Sequence, residues 1–184
     1  MTGNHLESER NTSGKYLTFV VSSERYGLGI QSIQEVIQVP QFTRVPNSPD
    51  YIKGVINFKG KIIPIVEFRR LFGIDEIPYN DRMCIIVVDL LRMNTTIPVG
   101  FIVDTALEVI EFAKDEIEPA PEFRLQLGAS AILGLGRKGE TLTILLNAEH
   151  LLQEDHKGER AATTEQSTQL ITESQDGLLE EVDK

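Results

Sequence analysis

The segment Tyr26-Gly27-Leu28-Gly29-Ile30 and the later segment Val99-Gly100-Phe101-Ile102-Val103 begin two stretches with the same residue pattern. Gly, Glu, Val and Ile recur at the same offsets after each start, as in Ile33, Glu35, Val36, Ile37 and in Ala106, Glu108, Val109, Ile110. Each copy then reaches a proline-bearing loop and an apolar strand that ends in leucine. The pattern predicts two related units of roughly 65 residues, longer than most solenoid repeats. Chance similarity between β-rich segments is the alternative.

Alternating and continuous β-branched residues dominate both units and predict short strands. The predicted strands are residues 16–21, 26–30, 54–58, 62–68, 84–90, 97–103 and 142–146. Short helices are predicted around residues 32–37, 69–72 and 148–153. Many short strands separated by Gly and Pro are typical of a β-barrel or β-sandwich.

Charge and composition limit the classes of function. The 184 residues carry a net charge of −10, of which the segment 153–184 contributes −6, from nine acidic and three basic residues. Residues 15–75 carry +3 and residues 76–152 carry −6. A body this close to neutral disfavours non-specific nucleic-acid binding and suits protein partners. No apolar run reaches the ~20 residues of a membrane helix, and the polar N-terminus lacks a secretory signal, so we expect a cytoplasmic protein without direct membrane insertion.

No group of residues predicts a catalytic, cofactor or metal site. Gly134-Leu135-Gly136-Arg137-Lys138-Gly139 fits G-x-G-x-x-G, but a strand sequence follows where a nucleotide site needs a helix. The motif therefore predicts a hairpin turn whose glycines supply positive φ. Cys84 is interpreted as a small core residue, and His150 as a solvated or capping residue. Glu67 and Asp104 follow apolar strands, where turn or rim positions are common.

Basic residues alternate with apolar ones between residues 44 and 70. A solvated strand face and a protein-docking surface with apolar anchors and a charged rim both explain this pattern.

Several motifs in fixed order resemble the CheW family of chemotaxis coupling proteins. They are Tyr26-Gly27-Leu28-Gly29-Ile30, Ile33-Gln34-Glu35-Val36, Pro46-Asn47-Ser48-Pro49, Ile52-Lys53-Gly54-Val55-Ile56-Asn57-Phe58-Lys59-Gly60, Ile62-Ile63-Pro64-Ile65-Val66-Glu67-Phe68, Val103-Asp104, Glu118-Pro119-Ala120-Pro121 and Ile144-Leu145-Leu146-Asn147. The resemblance covers about residues 15–152.

The resemblance implies an all-β fold with short helices, built from two intertwined SH3-like five-stranded β-barrel subdomains. We expect approximate subdomains 15–80 and 81–152 that can exchange strands. The polar composition of segment 1–14 and of the acidic tail 153–184 predicts that both are disordered. The family implies a non-enzymatic adaptor without cofactors, in receptor arrays at the inner membrane. Its partners would be the regulatory domain of a CheA-type histidine kinase and the cytoplasmic tip of methyl-accepting chemotaxis receptors.

Site residues follow from the resemblance position by position. Ile33 and Glu35 match a short helix tied to receptor coupling. Lys59 stands where the family usually has Arg, which keeps the charge and loses bidentate carboxylate recognition. Kinase binding is expected at Lys53, Gly54, Gly60 and Gly134. The three glycines also have a purely structural interpretation, because they permit turn geometry.

A small β-barrel that binds nucleic acid is the alternative function. It would need basic residues interleaved with exposed aromatic residues. Phe42, Tyr51 and Phe58 lie near the basic segment, but the overall charge opposes this alternative. An enzyme that uses the G-x-G-x-x-G turn is a third class.

Overall fold

The computed structural model describes residues 12–120 and 129–152. Eleven strands and one α-helix make up the described chain. The strands are β1 (Gly14–Val21), β2 (Glu24–Gly29), β3 (Ile33–Gln38), β4 (Ile52–Phe58), β5 (Lys61–Glu67), β6 (Cys84–Arg92), β7 (Thr95–Val103), β8 (Thr105–Phe112), β9 (Ile117–Glu118), β10 (Ile132–Lys138) and β11 (Thr141–Leu146); the helix is α1 (Phe68–Leu71). Short 3-10 turns lie at Ile30–Ser32, Lys114–Glu116, Ala129–Ala131 and Ala148–His150.

The strands form two sheets that each draw on both halves of the chain. The first sheet has the order β8-β1-β2-β11-β10-β9, and the second has the order β3-β6-β7-β5-β4. The chain leaves the first sheet after β2 to form β3 in the second, and leaves the second after β7 to form β8 in the first. This exchange confirms the predicted fold class of two intertwined SH3-like β subdomains, with the two-residue β9 added to one of them.

The two sheets repeat one another strand for strand, as the sequence repeat predicts. Strands β8, β1, β2, β11 and β10 correspond in order to β3, β6, β7, β5 and β4. Each sheet contains one parallel pair, and the registers are equivalent: Leu145 lies opposite Gly27, and Ile65 lies opposite Gly100. Gly27 and Gly100 occupy the same position in the two copies of the sequence repeat, so the sequence similarity reflects a repeated structural unit.

A shared aromatic core joins the two sheets. The rings of Phe19, Tyr26, Phe68, Phe72 and Phe101 contact one another with centroids between 4.5 and 6.0 Å apart. The first two come from the first sheet, and the others come from α1, the residue after it and β7. Aromatic pairs at such spacings add about 0.5–1.5 kcal/mol each beyond burial of their surface.

The prediction of a helix around residues 32–37 is wrong, because Ile33–Gln38 form β3. Ile33, Val36 and Ile37 have helical spacing, and a register shift between Ile33 and Glu35 interrupts the period of two that would identify a strand. Pairing with the buried strand β6 outweighs this local signal. The structure also adds β8, β9 and most of β10 to the predicted strands.

The predicted disordered segments, 1–14 and 153–184, lie outside the described residues apart from residues 12–14, the last of which begins β1. The subdomain boundary between residues 80 and 81 stays a prediction.

Candidate binding surfaces

The structure brings the three predicted receptor residues to one sheet. Ile33 and Glu35 lie on β3, and Lys59 lies in the turn between β4 and β5. The Lys59 ammonium is 2.9 Å from a carboxylate oxygen of Glu35, although β3 and β4 are at opposite ends of the strand order. The side chains remain 66% and 43% exposed, respectively. The sheet therefore curls until its two edges present one charged pair to solvent. Glu35 and Ile33 lie on a strand and not on the expected helix, which corrects that part of the prediction.

The backbone of the β4–β5 turn fixes the position of Lys59. Lys59 and Gly60 have φ values of 50° and 81°, and Phe58 pairs with Lys61 across the turn. Two consecutive residues with positive φ are typical of a two-residue type I′ hairpin, which matches the twist of the flanking strands. The Gly60 amide donates to Oδ1 of Asn57 at 3.0 Å, and the Lys59 ammonium lies 5.0 Å from the centre of the Phe58 ring.

An exposed apolar side chain beside this turn belongs to the segment 44–70, which the sequence analysis offered as a docking surface with apolar anchors. Ile62 is 68% exposed and lies opposite Asn57 in the hairpin register. Along β5 the side chain of Ile62 points outward, whereas those of Ile63 and Ile65 are buried. Because a single exposed apolar side chain is common on protein surfaces, Ile62 matters here through its place beside the Lys59 turn.

The four predicted kinase residues are dispersed. Lys53 and Gly54 lie near the start of β4, Gly60 lies in the turn beyond its end, and Gly134 lies on β10 in the other sheet. Four residue steps of extended strand, from Gly54 to Phe58, separate Gly54 from the turn that holds Gly60 by about 13 Å. These residues do not form one contiguous contact patch.

Gly54 and Gly134 are equivalent positions at which a neighbouring backbone passes close by. A Cβ at Gly54, where φ is +157°, would lie 2.2 Å from the carbonyl oxygen of Thr43, and a Cβ at Gly134 would lie 2.7 Å from that of Glu118. The residue after each glycine pairs with the same neighbouring segment, Val55 with Thr43 and Leu135 with Glu118. The glycines let an outer segment add to each sheet, which supports their structural interpretation.

Lys53 is part of an ion-pair network. Its ammonium lies 2.7 Å from both carboxylate oxygens of Glu76, and Arg70 Nε donates to the same carboxylate at 2.8 Å. Only 19% of the Lys53 side chain is exposed. Partial burial acts to raise the pKa of Glu76, but the hydrogen bonds from Lys53 and Arg70 outweigh it and lower this pKa below its usual range.

Asp104 lies in the connection between β7 and β8, one of the turn or rim positions that the sequence suggested, whereas Glu67 is a buried residue at the end of β5. Glu67 is only 2% exposed and caps α1, and burial raises the pKa of its carboxyl group above the usual range. Asp104 accepts hydrogen bonds from Arg69 Nε at 2.9 Å, Arg69 Nη2 at 2.6 Å and the Ser22 amide at 2.8 Å. Because Arg69 follows β5 and Ser22 follows β1, Asp104 ties the second sheet to the first. The available signal was a carboxylate placed directly after an apolar run, residues 62–66 for Glu67 and residues 97–103 for Asp104.

The G-x-G-x-x-G motif forms the predicted hairpin between β10 and β11. Of its glycines only Gly139, with φ +59°, lies in the turn. Gly134 and Gly136 lie inside β10, so the prediction that all three supply positive φ is wrong. Gly136 instead makes room for a ring, since a Cβ there would lie 2.7 Å from Phe112.

Two further observations concern the described residues alone. No group of three or more His, Cys, Asp or Glu side chains within residues 12–120 and 129–152 is placed to hold a metal ion. In the same part of the chain, no helix is both long and apolar enough to cross a membrane.

Comparison with known proteins places this arrangement among chemotaxis proteins. A family model described as "CheW-like domain" matches residues 15–156. Chemotaxis protein CheW of Klebsiella aerogenes is 36% identical over 141 residues, covering 77% of this chain and 82% of that protein. Chemotaxis protein CheW of Helicobacter pylori is 30% identical over 141 residues, with the same two coverages.

A solved structure shares the fold. The crystal structure of the scaffolding protein TtCheW from Thermoanaerobacter tengcongensis matches with a TM-score of 0.69 at 29% identity. The match covers 79% of this chain and 96% of that one.

Proposed function

The chain belongs to the CheW-like family of chemotaxis scaffold proteins, and we propose that it is a non-enzymatic adaptor that couples methyl-accepting chemotaxis receptors to a CheA-type histidine kinase. It would act in the cytoplasm, in receptor arrays at the inner membrane. The receptor would bind through Ile33, Glu35 and Lys59. The observation that carries this proposal is the Lys59–Glu35 pair, because it gathers two family-matched residues on one exposed surface.

The chemistry of this pair suits recognition better than stability. An exposed ion pair contributes about 0–1 kcal/mol to folding, so removing it has little effect on the fold. The same charges guide and orient an approaching partner, and their effect falls as salt increases. A receptor tip that carries a carboxylate near an apolar side chain would satisfy both Lys59 and its exposed neighbour Ile62.

The one cysteine of the chain does not resemble a catalytic nucleophile. Burial raises the pKa of the Cys84 thiol, whereas nucleophilic cysteines have a lowered pKa. This supports a binding function. Kinase binding is proposed for the region that contains Lys53 and Gly54, with Gly60 and Gly134 supporting the backbone.

The proposal is tested by Lys59→Glu, with the receptor's cytoplasmic tip titrated by calorimetry at two salt concentrations. We expect binding to weaken by about tenfold, which corresponds to about 1.4 kcal/mol, with Tm unchanged. Lys138→Glu is a matched control. Lys138 also lies at a hairpin, at the end of β10, pairs with a glutamate (Glu116, 2.5 Å) and lies over a phenylalanine ring, but in the other sheet. Equal receptor binding by wild type and Lys59→Glu would refute the role of Lys59.

A further inference from the structure

The segment between α1 and β6, residues 73–82, is held in place by charged side chains from elsewhere in the fold. Glu76 receives Lys53 and Arg70, as described above. Arg69 Nη1 donates to the carbonyl oxygen of Asp75 at 3.1 Å. We refer to residues 73–82 as the 73–82 loop. Lys53 of β4 and two arginines of α1 thus hold two successive residues of this loop, Asp75 and Glu76, by hydrogen bonds.

Aromatic packing holds the second half of the same loop. The Tyr79 hydroxyl donates to Oε2 of buried Glu67 at 3.3 Å. The Tyr79 ring meets the Phe42 ring edge to face, with centroids 6.1 Å apart. Phe42 in turn packs against Gly54, since a Cβ at Gly54 would lie 3.1 Å from the Phe42 ring.

Lys53 and Gly54 therefore support one loop by two routes. Lys53 acts through the carboxylate of Glu76, and Gly54 acts through Phe42 on Tyr79. The loop in turn exposes two large apolar side chains close together in sequence, Ile77 at 40% and Tyr79 at 41%. Apolar and tyrosine side chains on a fixed backbone are the usual anchors of protein interfaces.

The geometry of Lys53 argues against direct contact with a partner. Its ammonium is already paired with both oxygens of Glu76, and most of the side chain is covered. To reach a partner, Lys53 would have to leave Glu76 and lose a pair that partial burial makes stronger than a surface pair. Ile77 and Tyr79 need no such rearrangement.

We propose that Lys53 is a positioning residue, which holds the 73–82 loop through Glu76 so that Ile77 and Tyr79 contact the kinase regulatory domain. This inference rests on the proposed function for the identity of the partner. It assigns the contact to a loop that neither the repeat nor the family motifs single out.

The test compares Lys53→Met, Glu76→Gln and the double variant, titrated with the regulatory domain of a CheA-type kinase. A positioning role predicts that each single variant weakens binding between about three- and tenfold. It also predicts that the double variant is no weaker than Glu76→Gln alone, because both act through one contact. Lys53→Arg restores binding, since it keeps the pair with Glu76. Lys138→Met, which removes an ion pair in the other sheet, is the control and binds as wild type does.

A second measurement reads the loop itself. The Ile74 amide, which donates to the carbonyl oxygen of Arg69 at 2.8 Å, is the probe. Its hydrogen exchange is faster in Lys53→Met and Glu76→Gln than in wild type, and unchanged in Lys138→Met. Ile77→Ala gives the opposite combination, weaker kinase binding with unchanged exchange.

Three results would overturn the proposal. The first is wild-type binding by Glu76→Gln while Lys53→Met is weakened, because Lys53 would then touch the kinase. The second is wild-type binding by Ile77→Ala. The third is unchanged exchange of the loop in Lys53→Met. If the wild-type protein does not bind the kinase domain at all, the proposed function fails, and the exchange measurement still decides whether Lys53 positions the loop.

Discussion

Replacing Asp104 by Asn tests the tie between the two sheets. The substitution keeps the shape of the side chain and removes its charge. Asp104 accepts three hydrogen bonds, two of them from the Arg69 guanidinium, and the two side chains are only 15% and 9% exposed. The variant removes the charge of the carboxylate to which the covered Arg69 guanidinium is hydrogen-bonded.

The cost follows from the burial of this pair. Breaking a buried ion pair by removing one partner costs about 3–5 kcal/mol, and the slight exposure of Asp104 favours the lower end, about 3 kcal/mol. For a domain of this size each kcal/mol shifts Tm by roughly 3 °C, so Tm should fall by about 9 °C. Denaturant unfolding followed by circular dichroism measures the free energy directly, and an unchanged m-value would show that the loss comes from the native state.

The matched comparison is Glu108→Gln. Glu108 also pairs with an arginine, Arg25, but at 3.9 Å and with 71% of its side chain exposed. An exposed pair contributes about 0–1 kcal/mol, so the free energy of unfolding of this variant should lie within about 0.5 kcal/mol of the wild-type value. The reasoning is refuted if Asp104→Asn is as stable as Glu108→Gln, because the Arg69–Asp104 pair would then contribute no more than a surface contact.

Three further outcomes are expected. Gly54→Ala should lower the free energy of unfolding by more than about 3 kcal/mol, because its Cβ would meet a carbonyl oxygen at 2.2 Å, whereas Gly60→Ala meets nothing within 4 Å and should lose only about 1 kcal/mol through its positive φ; equal losses in urea unfolding would contradict this. Since burial raises the pKa of Glu67, its contribution to stability is present below the unfolded pKa of about 4.3 and is lost as pH rises through the folded value. The free energy of unfolding of Glu67→Gln should therefore rise relative to that of wild type as pH increases from about 4 to neutral. Parallel plots of this free energy against pH for the two proteins would contradict a buried carboxylate. Burial also raises the pKa of the Cys84 thiol, so alkylation by iodoacetamide near pH 8 should be at least about tenfold slower than for glutathione, and equal rates would show an accessible thiolate.

The sequence predicts the strands well wherever hydrophobic period and burial agree. β4 to β7 and β11 each alternate or run continuously apolar, and their boundaries lie within two residues of the predicted ones. β3 fails because a register shift breaks its alternation. β8 escapes because its apolar residues do not alternate with polar ones, so the period of two is missing. They are Ala106, Leu107, Val109, Ile110 and Phe112.

Contacts between distant residues are the part of the site that the sequence cannot supply. The resemblance identifies Glu35 and Lys59, and the structure adds that they form a pair across the two edges of one sheet. It also gives Lys53 a partner, Glu76, that lies 23 residues away. Neither the pairing nor the covered state of Lys53 follows from local pattern, because both depend on how the sheet closes.

The internal repeat sharpens this point, since equivalent positions have diverged in charge. Aligning the strand ends of the two units places Arg69 opposite Glu149 and Asp104 opposite Gln31. Arg69 and Asp104 form the covered pair where the chain passes from β7 to β8, whereas Glu149 and Gln31 are both exposed. The backbone at the two crossings is related by the repeat, and among the residues that the structure describes an ion pair joins the sheets at the Arg69–Asp104 crossing but not between Glu149 and Gln31. A sequence repeat therefore predicts where the chain crosses, while the pair that strengthens one crossing depends on residues 35 positions apart that meet only after folding.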